Sequence, residues 1–207
     1  MQPFADQKII KMHKKDLRVA YNNKRLALSQ DEKMILDELI LEELAKLDLS
    51  RVKYLHVFLP IARRNEPNTL RMIDWLLSQY PGMSIVVPKV VGIRMDNFLY
   101  TSERDLVISD WGIPEPVVKG QAQVDIRLID AVLVPLLTFD RSGHRVGYGK
   151  GFYDRFLSLC REDVLKVGLC YFQPVNRIKD YNPYDVKLDL CITPNKTWDF
   201  GNSELKR

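Results

Sequence analysis

Ala131-Val132-Leu133-Val134-Pro135 is followed a short way along the chain by Gly147-Tyr148-Gly149-Lys150-Gly151-Phe152-Tyr153-Asp154. The first run is apolar throughout, as in a strand covered on both faces of a parallel sheet. The second is a glycine-rich loop leading into a helical stretch over 152–160. Strand, loop and helix in this order form the repeating unit of an α/β sheet, where ligands gather outside the carboxyl ends of the strands. The loop after Val134 is therefore where chemistry is expected.

Outward from this unit, further β-rich runs lie at 52–59, 84–91, 95–100, 166–172 and 186–192, and helical patterns at 7–27, 30–47 and 68–79. The second helix has a start signal: Ser29 and Glu32 are spaced as a capping box. Ile35, Leu36, Leu39, Ile40, Leu44 and Leu47 then recur with helical spacing. Gly112, Pro114 and Pro116 mark 110–119 as a loop. The alternation predicts an α/β fold, a single-domain three-layer α/β/α sandwich over 1–207 with a largely parallel central sheet.

With 207 residues and 46% hydrophobic content, the chain is long enough for one such sheet and its helices. Met1 to Arg25 is studded with Lys8, Lys11, Lys14, Lys15, Arg18, Lys24 and Arg25, unlike a signal peptide, and no later run is long enough to span a bilayer. A cytoplasmic protein without membrane contact is expected. Cys160, Cys170 and Cys191 are widely spaced among apolar residues and read as reduced core thiols; no Cys/His pattern suggests zinc. His56 reads as a packed strand residue. The net charge of +4 suits an anionic small molecule better than nucleic acid.

Glycines 147, 149 and 151 let the backbone bring its N–H groups close to a bulky anion. Lys150 and Arg145 add positive charge, and the following helix offers its first amides. The spacing is neither GxxxxGK[ST] nor GxGxxG. Taken alone, the glycines serve equally well as a tight strand-to-helix connection. Asp154 likewise suits either a helix's first turn or a magnesium ion bridging phosphate oxygens.

The run from Pro135 through Thr138, Phe139, Asp140, Gly143, Arg145, Gly147, Gly149, Gly151, Asp154 and Leu157 resembles the signature of the 5-formyltetrahydrofolate cyclo-ligase family, also called methenyltetrahydrofolate synthetases. Lys14-Lys15-Asp16-Leu17-Arg18, Glu66-Pro67-Asn68-Thr69, Trp111-Gly112-Ile113-Pro114-Glu115-Pro116, Gln173-Pro174-Val175 and Asp185-Val186-Lys187-Leu188-Asp189 resemble other family elements in the same order. Ile61-Ala62-Arg63-Arg64-Asn65 is more basic than the family pattern.

The resemblance implies an enzyme that cyclises 5-formyltetrahydrofolate to 5,10-methenyltetrahydrofolate with ATP and Mg²⁺, by phosphorylation of the formyl oxygen and attack by N10. It implies ATP contacts from Lys14, Lys15, Asp16, Leu17 and Arg18, and from Arg145, Val146, Gly147, Tyr148, Gly149, Lys150, Gly151, Phe152 and Tyr153. Arg145 and Lys150 are then the catalytic cations. Glu66, Trp111, Ile113, Tyr148 and Tyr153 face the folate, and Asp154 and Asp189 hold Mg²⁺. Read from the residues alone, Glu66 equally favours a helix start, Trp111 a core anchor and Asp189 the polar face of a strand. The substrate is expected with or without a polyglutamate tail and the protein as a monomer. The alternatives are another ATP-dependent ligase or phosphotransferase, or a nucleic-acid-binding protein using Lys8 to Arg25.

Overall fold

The computed structural model describes residues 11–110, 112–120 and 122–201. In chain order its elements are β1 (Lys11–Met12), α1 (Lys14–Leu26), α2 (Gln30–Leu44), β2 (Tyr54–Val57), α3 (Thr69–Gln79), β3 (Ser84–Val91), β4 (Arg94–Leu99), β5 (Leu106–Ile108), β6 (Pro114–Pro116), β7 (Ala131–Pro135), β8 (Thr138–Phe139), β9 (Arg145–Val146), α4 (Phe152–Leu157), β10 (Leu165–Leu169), β11 (Arg177–Ile178), β12 (Leu190–Thr193) and β13 (Lys196–Asp199).

Seven strands form the main sheet in the order β13-β12-β10-β7-β2-β3-β4. The five inner strands are parallel; β13 and β4 close the edges antiparallel. Strand periodicity sorts the side chains. Leu55, Val57, Ile85, Val87, Leu133, Val167 and Ile192 share one face with Ile40 and Leu44 of α2 and Ile73 and Leu76 of α3. Val86, Val132, Val134 and Cys191 share the other with Phe156 and Leu157 of α4, Phe139 and Leu188. The α/β architecture is the expected one. Its second outer layer is thin, since α4 has six residues and irregular chain covers the rest.

The helix expected over 7–27 begins later. Residues 7–10 lie outside the described residues, and Lys11–Met12 pairs in parallel with Arg177–Ile178. The Lys14 amide then donates to Asp180 Oδ1 at 2.7 Å, so the first turn is capped from a distant segment, with no local side-chain cap. The capping box of α2 is present, with Glu32 N–H on Ser29 Oγ at 3.2 Å and Ser29 N–H on Glu32 Oε2 at 2.8 Å. Its apolar stripe is less regular than the spacing predicts: Ile35 is exposed and Asp37 buried. Asp37 is kept inside by the Tyr171 hydroxyl at 2.6 Å, the Asn68 amide at 2.9 Å and Lys33 Nζ at 2.5 Å. The expected loop 110–119 contains β6, which pairs antiparallel with β5. The last parallel strand starts at Leu190 and not at residue 186, and is joined to the unexpected β13.

Candidate active site

Between β7 and α4 the chain folds back as the β8–β9 hairpin. Asp140, fully buried, organises its turn: the carboxylate accepts from Ser142 N–H at 2.9 Å, His144 N–H at 3.1 Å and Ile178 N–H at 3.1 Å. A buried carboxylate with this many donors fixes the hairpin and, through it, the loop that follows. Gly149 and Gly151 adopt φ of +88° and +68°. At Gly149 a Cβ would lie 3.1 Å from the Arg18 guanidinium carbon, whereas Gly147 has nothing within 4 Å of that position. Arg18 Nε donates to the Gly147 carbonyl at 3.0 Å. The loop thus lies against a helix-borne cation while leaving backbone open above Gly147.

Arg145 is buried, and its Nη2 donates to Asp154 Oδ1 at 2.7 Å; Nη1 reaches the Val186 carbonyl. Burial pulls the guanidinium's pKa down, opposed by the charge of Asp154 and Asp185. Asp154 Oδ1 also accepts Val186 N–H at 3.2 Å, and Oδ2 takes no hydrogen bond among the described residues. The Asp154 side chain is 33% exposed. Lys14 Nζ pairs with Asp185 at 2.5 Å. Lys150 is exposed and pairs with no carboxylate among the described residues.

Across the loop stands Glu66, 2% exposed. It accepts Ile61 N–H at 2.7 Å on Oε2 and the Tyr148 hydroxyl on Oε1. Burial pushes its pKa up, while the bonds from Tyr148 and Ile61 and the charges of Arg25 and Arg64 hold it back. Tyr148 and Tyr153 are both pushed up, first by burial. A pocket of about 290 Å³ opens beside Tyr148, lined by Arg18, Val19, Asn22, Asn23, Arg64 and Leu137. The guanidinium groups of Arg18 and Arg64 pair with no carboxylate among the described residues, and Arg64 lies 4.2 Å over the Tyr148 ring.

The structure therefore brings together Arg18, Gly147, Tyr148, Gly149 and Glu66, and separately Arg145 with Asp154. Leu17 and Val146 are fully buried with Ile178, leaving only their backbone for a ligand. Lys15 and Asp16 are exposed on α1, and Phe152 is covered by Arg155 at 5.3 Å. Trp111 lies outside the described residues. Ile113, half-buried, sits in a turn closed by Ser109, and its neighbour Gly112 lies against Arg63. Asp189 is not brought onto a partner shared with Asp154. It lies at the amino end of β12, where its carboxylate takes both the Lys166 amide and Lys166 Nζ at 2.8 Å. Among the described residues no cluster of three or more His, Cys, Asp or Glu side chains could hold a metal, and no helix is long and apolar enough to cross a membrane.

Sequence reasoning missed Arg25, Asp140 and Asp185 as organisers. Arg25 was visible in principle: it stands seven residues after Arg18, on the same face of a 3.6-residue helix.

A basic glycine loop beyond the carboxyl edge of a mostly parallel sheet, its tyrosine bonded to a buried carboxylate and bordering a basic pocket, defines an α/β enzyme acting on a small molecule. Residues 10–194 match the 5-formyltetrahydrofolate cyclo-ligase family. A 5-formyltetrahydrofolate cyclo-ligase of Mycoplasma genitalium is 31% identical over 183 residues, 86% of this chain and 96% of that one. The 5,10-methenyltetrahydrofolate synthetase structure of Aquifex aeolicus superposes with a TM-score of 0.78 at 28% identity, covering 93% of this chain and 95% of that one. That of Mycoplasma pneumoniae gives 0.69 at 30% identity, covering 87% and 98%. The chain belongs to the 5-formyltetrahydrofolate cyclo-ligase family, ligases whose substrate is 5-formyltetrahydrofolate.

Proposed function

We propose that this protein uses ATP and Mg²⁺ to close 5-formyltetrahydrofolate into 5,10-methenyltetrahydrofolate where the glycine loop meets Glu66. The observation that carries this is the juxtaposition of Arg18 on Gly147 with Tyr148 on Glu66, which sets a phosphate-type loop beside a carboxylate. The formyl oxygen attacks the γ-phosphorus of ATP and ADP departs. N10 adds to the formyl carbon and loses its proton, and the C–O bond breaks as the N5 lone pair closes the methenyl bridge. The formyl oxygen leaves in inorganic phosphate.

Both nucleophiles belong to the substrates, so the protein's work is placement and charge. Arg18 and the open backbone above Gly147 take phosphate oxygens. Lys150, exposed and without a carboxylate partner among the described residues, neutralises charge on the transferring group. Arg145, buried and held by Asp154 and Val186, acts as a fixed cation under the loop. Glu66 accepts from the amino and ring N–H donors of the pterin, with Tyr148, Tyr153, Trp111 and Ile113 assigned to its rings.

Asp154 fits Mg²⁺: its side chain is partly exposed, Oδ2 takes no hydrogen bond among the described residues, and magnesium takes one or two carboxylates with substrate phosphates. Asp154 would hold the ion, which would supply positive charge to offset that of the phosphates. Asp189 enters that role only by giving up Lys166. Arg63 and Arg64 suit the carboxylates of a glutamate or polyglutamate tail, and a monomer without nucleic-acid or membrane partners is the state we assign. The mechanism is tested with substrate carrying ¹⁸O in the formyl group. The expected product is labelled phosphate; label appearing elsewhere would sink phosphorylation of that oxygen.

A further inference from the structure

Arg25, at the end of α1, has no part in the roles above, yet its guanidinium is among the most enclosed charges of the molecule, with 2% exposure. It reaches three segments. Nε donates to the Arg64 carbonyl at 2.8 Å, Nη1 to the Leu136 carbonyl at 3.3 Å beyond β7, and Nη2 to the Tyr148 hydroxyl. That hydroxyl donates in turn to Glu66 Oε1. Asn65, held at φ 48°, returns its Nδ2 to the Arg25 carbonyl at 3.1 Å and the Leu28 carbonyl at 3.2 Å. A guanidinium, a phenol and a carboxylate thus form one chain running from α1 through the glycine loop to the Glu66 loop.

We infer that Arg25 is a positioning residue which, through the Tyr148 hydroxyl, couples Glu66 to the glycine loop, so that folate and ATP bind with positive cooperativity. This rests on Glu66 meeting the folate and the loop meeting ATP, as proposed above. Glu66 is sealed in the free protein, and a ligand reaches its oxygens only when Tyr148 moves off. Tyr148 stands between Gly147 and Gly149, so its departure reshapes the backbone that faces the phosphates. A ligand at Glu66 must break the clasp, and a ligand on the loop binds the backbone on either side of Tyr148; a ligand that favours the open clasp therefore leaves less to be broken by the other. The cation that fixes the clasp is Arg25, because Arg64 lies on the ring face and not at the hydroxyl.

Calorimetric titration of the full chain with 5-formyltetrahydrofolate, with and without a saturating non-hydrolysable ATP analogue and Mg²⁺, reads the coupling as a ratio of Kd values. A hydrogen bond to a charged group corresponds to an expected tightening of about tenfold in the unmodified protein. In Tyr148→Phe the ratio should fall to about twofold or less, because the clasp is gone before either ligand arrives. Arg25→Met should lose the ratio likewise, and Arg25→Lys should restore part of it. Tyr148→Phe keeps the test sound if Arg25→Met does not fold. A ratio near one in the unmodified protein, or an undiminished ratio in Tyr148→Phe, overturns the inference. Absence of any folate binding by the unmodified protein overturns the functional reading and the inference together, and is told apart by the first titration alone.

Discussion

His56 lies in the middle of β2, fully buried, with the rings of Phe156 and Tyr153 at 4.5 and 5.9 Å between centroids and, among the described residues, no partner on either ring nitrogen. Burial pushes its pKa down from 6.5 to about 3. The unfolded imidazole takes a proton near its ordinary value, while the folded one resists until far more acid conditions. Between the two values the unfolded chain binds more protons. The stability contributed by the neutral ring is therefore complete above the ordinary histidine value and lost as pH falls toward the folded one. Going from pH 7 to pH 4.5 should cost about 3 kcal/mol from this group alone, at about 1.4 kcal/mol per pKa unit. Glu66 acts in the opposite sense: its raised pKa lets the folded state keep a proton that the unfolded chain has released. A variant is needed to separate them. His56→Leu removes the titrating ring and its unpaired nitrogens with little change in volume. Urea unfolding of both proteins at pH 7 and 4.5, at fixed ionic strength, gives the four stabilities required. The loss on acidification should be smaller by about 3 kcal/mol in the variant. Equal losses in the two proteins would refute the burial argument.

Three further outcomes follow from the packing. Asp154→Asn should abolish turnover, by more than about a hundredfold in kcat, and should lower stability by about 1–3 kcal/mol because Arg145 stays buried without its carboxylate; a steady-state assay titrated with Mg²⁺ and a thermal melt check both. Gly149→Ala places a Cβ against Arg18 at φ +88°, at a cost of about 1–2 kcal/mol in the loop, and should raise the KM for ATP. Asp37→Ala strands the Tyr171 hydroxyl and the Asn68 amide, for an expected loss of about 2–4 kcal/mol, read as a lowered Tm.

The central unit was legible because β7 is apolar at every position and is followed by a loop and helix of marked composition. Two-face burial and glycine conformation are local properties of sequence. What escaped was set by distant partners. The start of α1 depends on Asp180, the buried Asp37 on Tyr171, and the pairing of β6 on β5; none of these leaves a periodic trace in its own segment. The site shows the same division. The helical spacing of Lys14 and Arg18 suggests a shared ligand, whereas in the structure Arg18 lies on the Gly147 carbonyl and Lys14 turns to Asp185. Within each contiguous motif the strand and helix periods send Leu17 and Val146 inward, a distinction that a quoted run of residues hides. Asp189 sits beside Lys166 because β12 is in register with β10, and register is not readable from one strand.

The most direct measurement follows the near-ultraviolet absorbance of the methenyl product when the protein is mixed with 5-formyltetrahydrofolate, ATP and Mg²⁺. The expected result is a band that grows in proportion to enzyme, requires ATP, and is matched by one ADP per methenyl group formed. A folded preparation that binds the folate yet forms no such band would contradict the account.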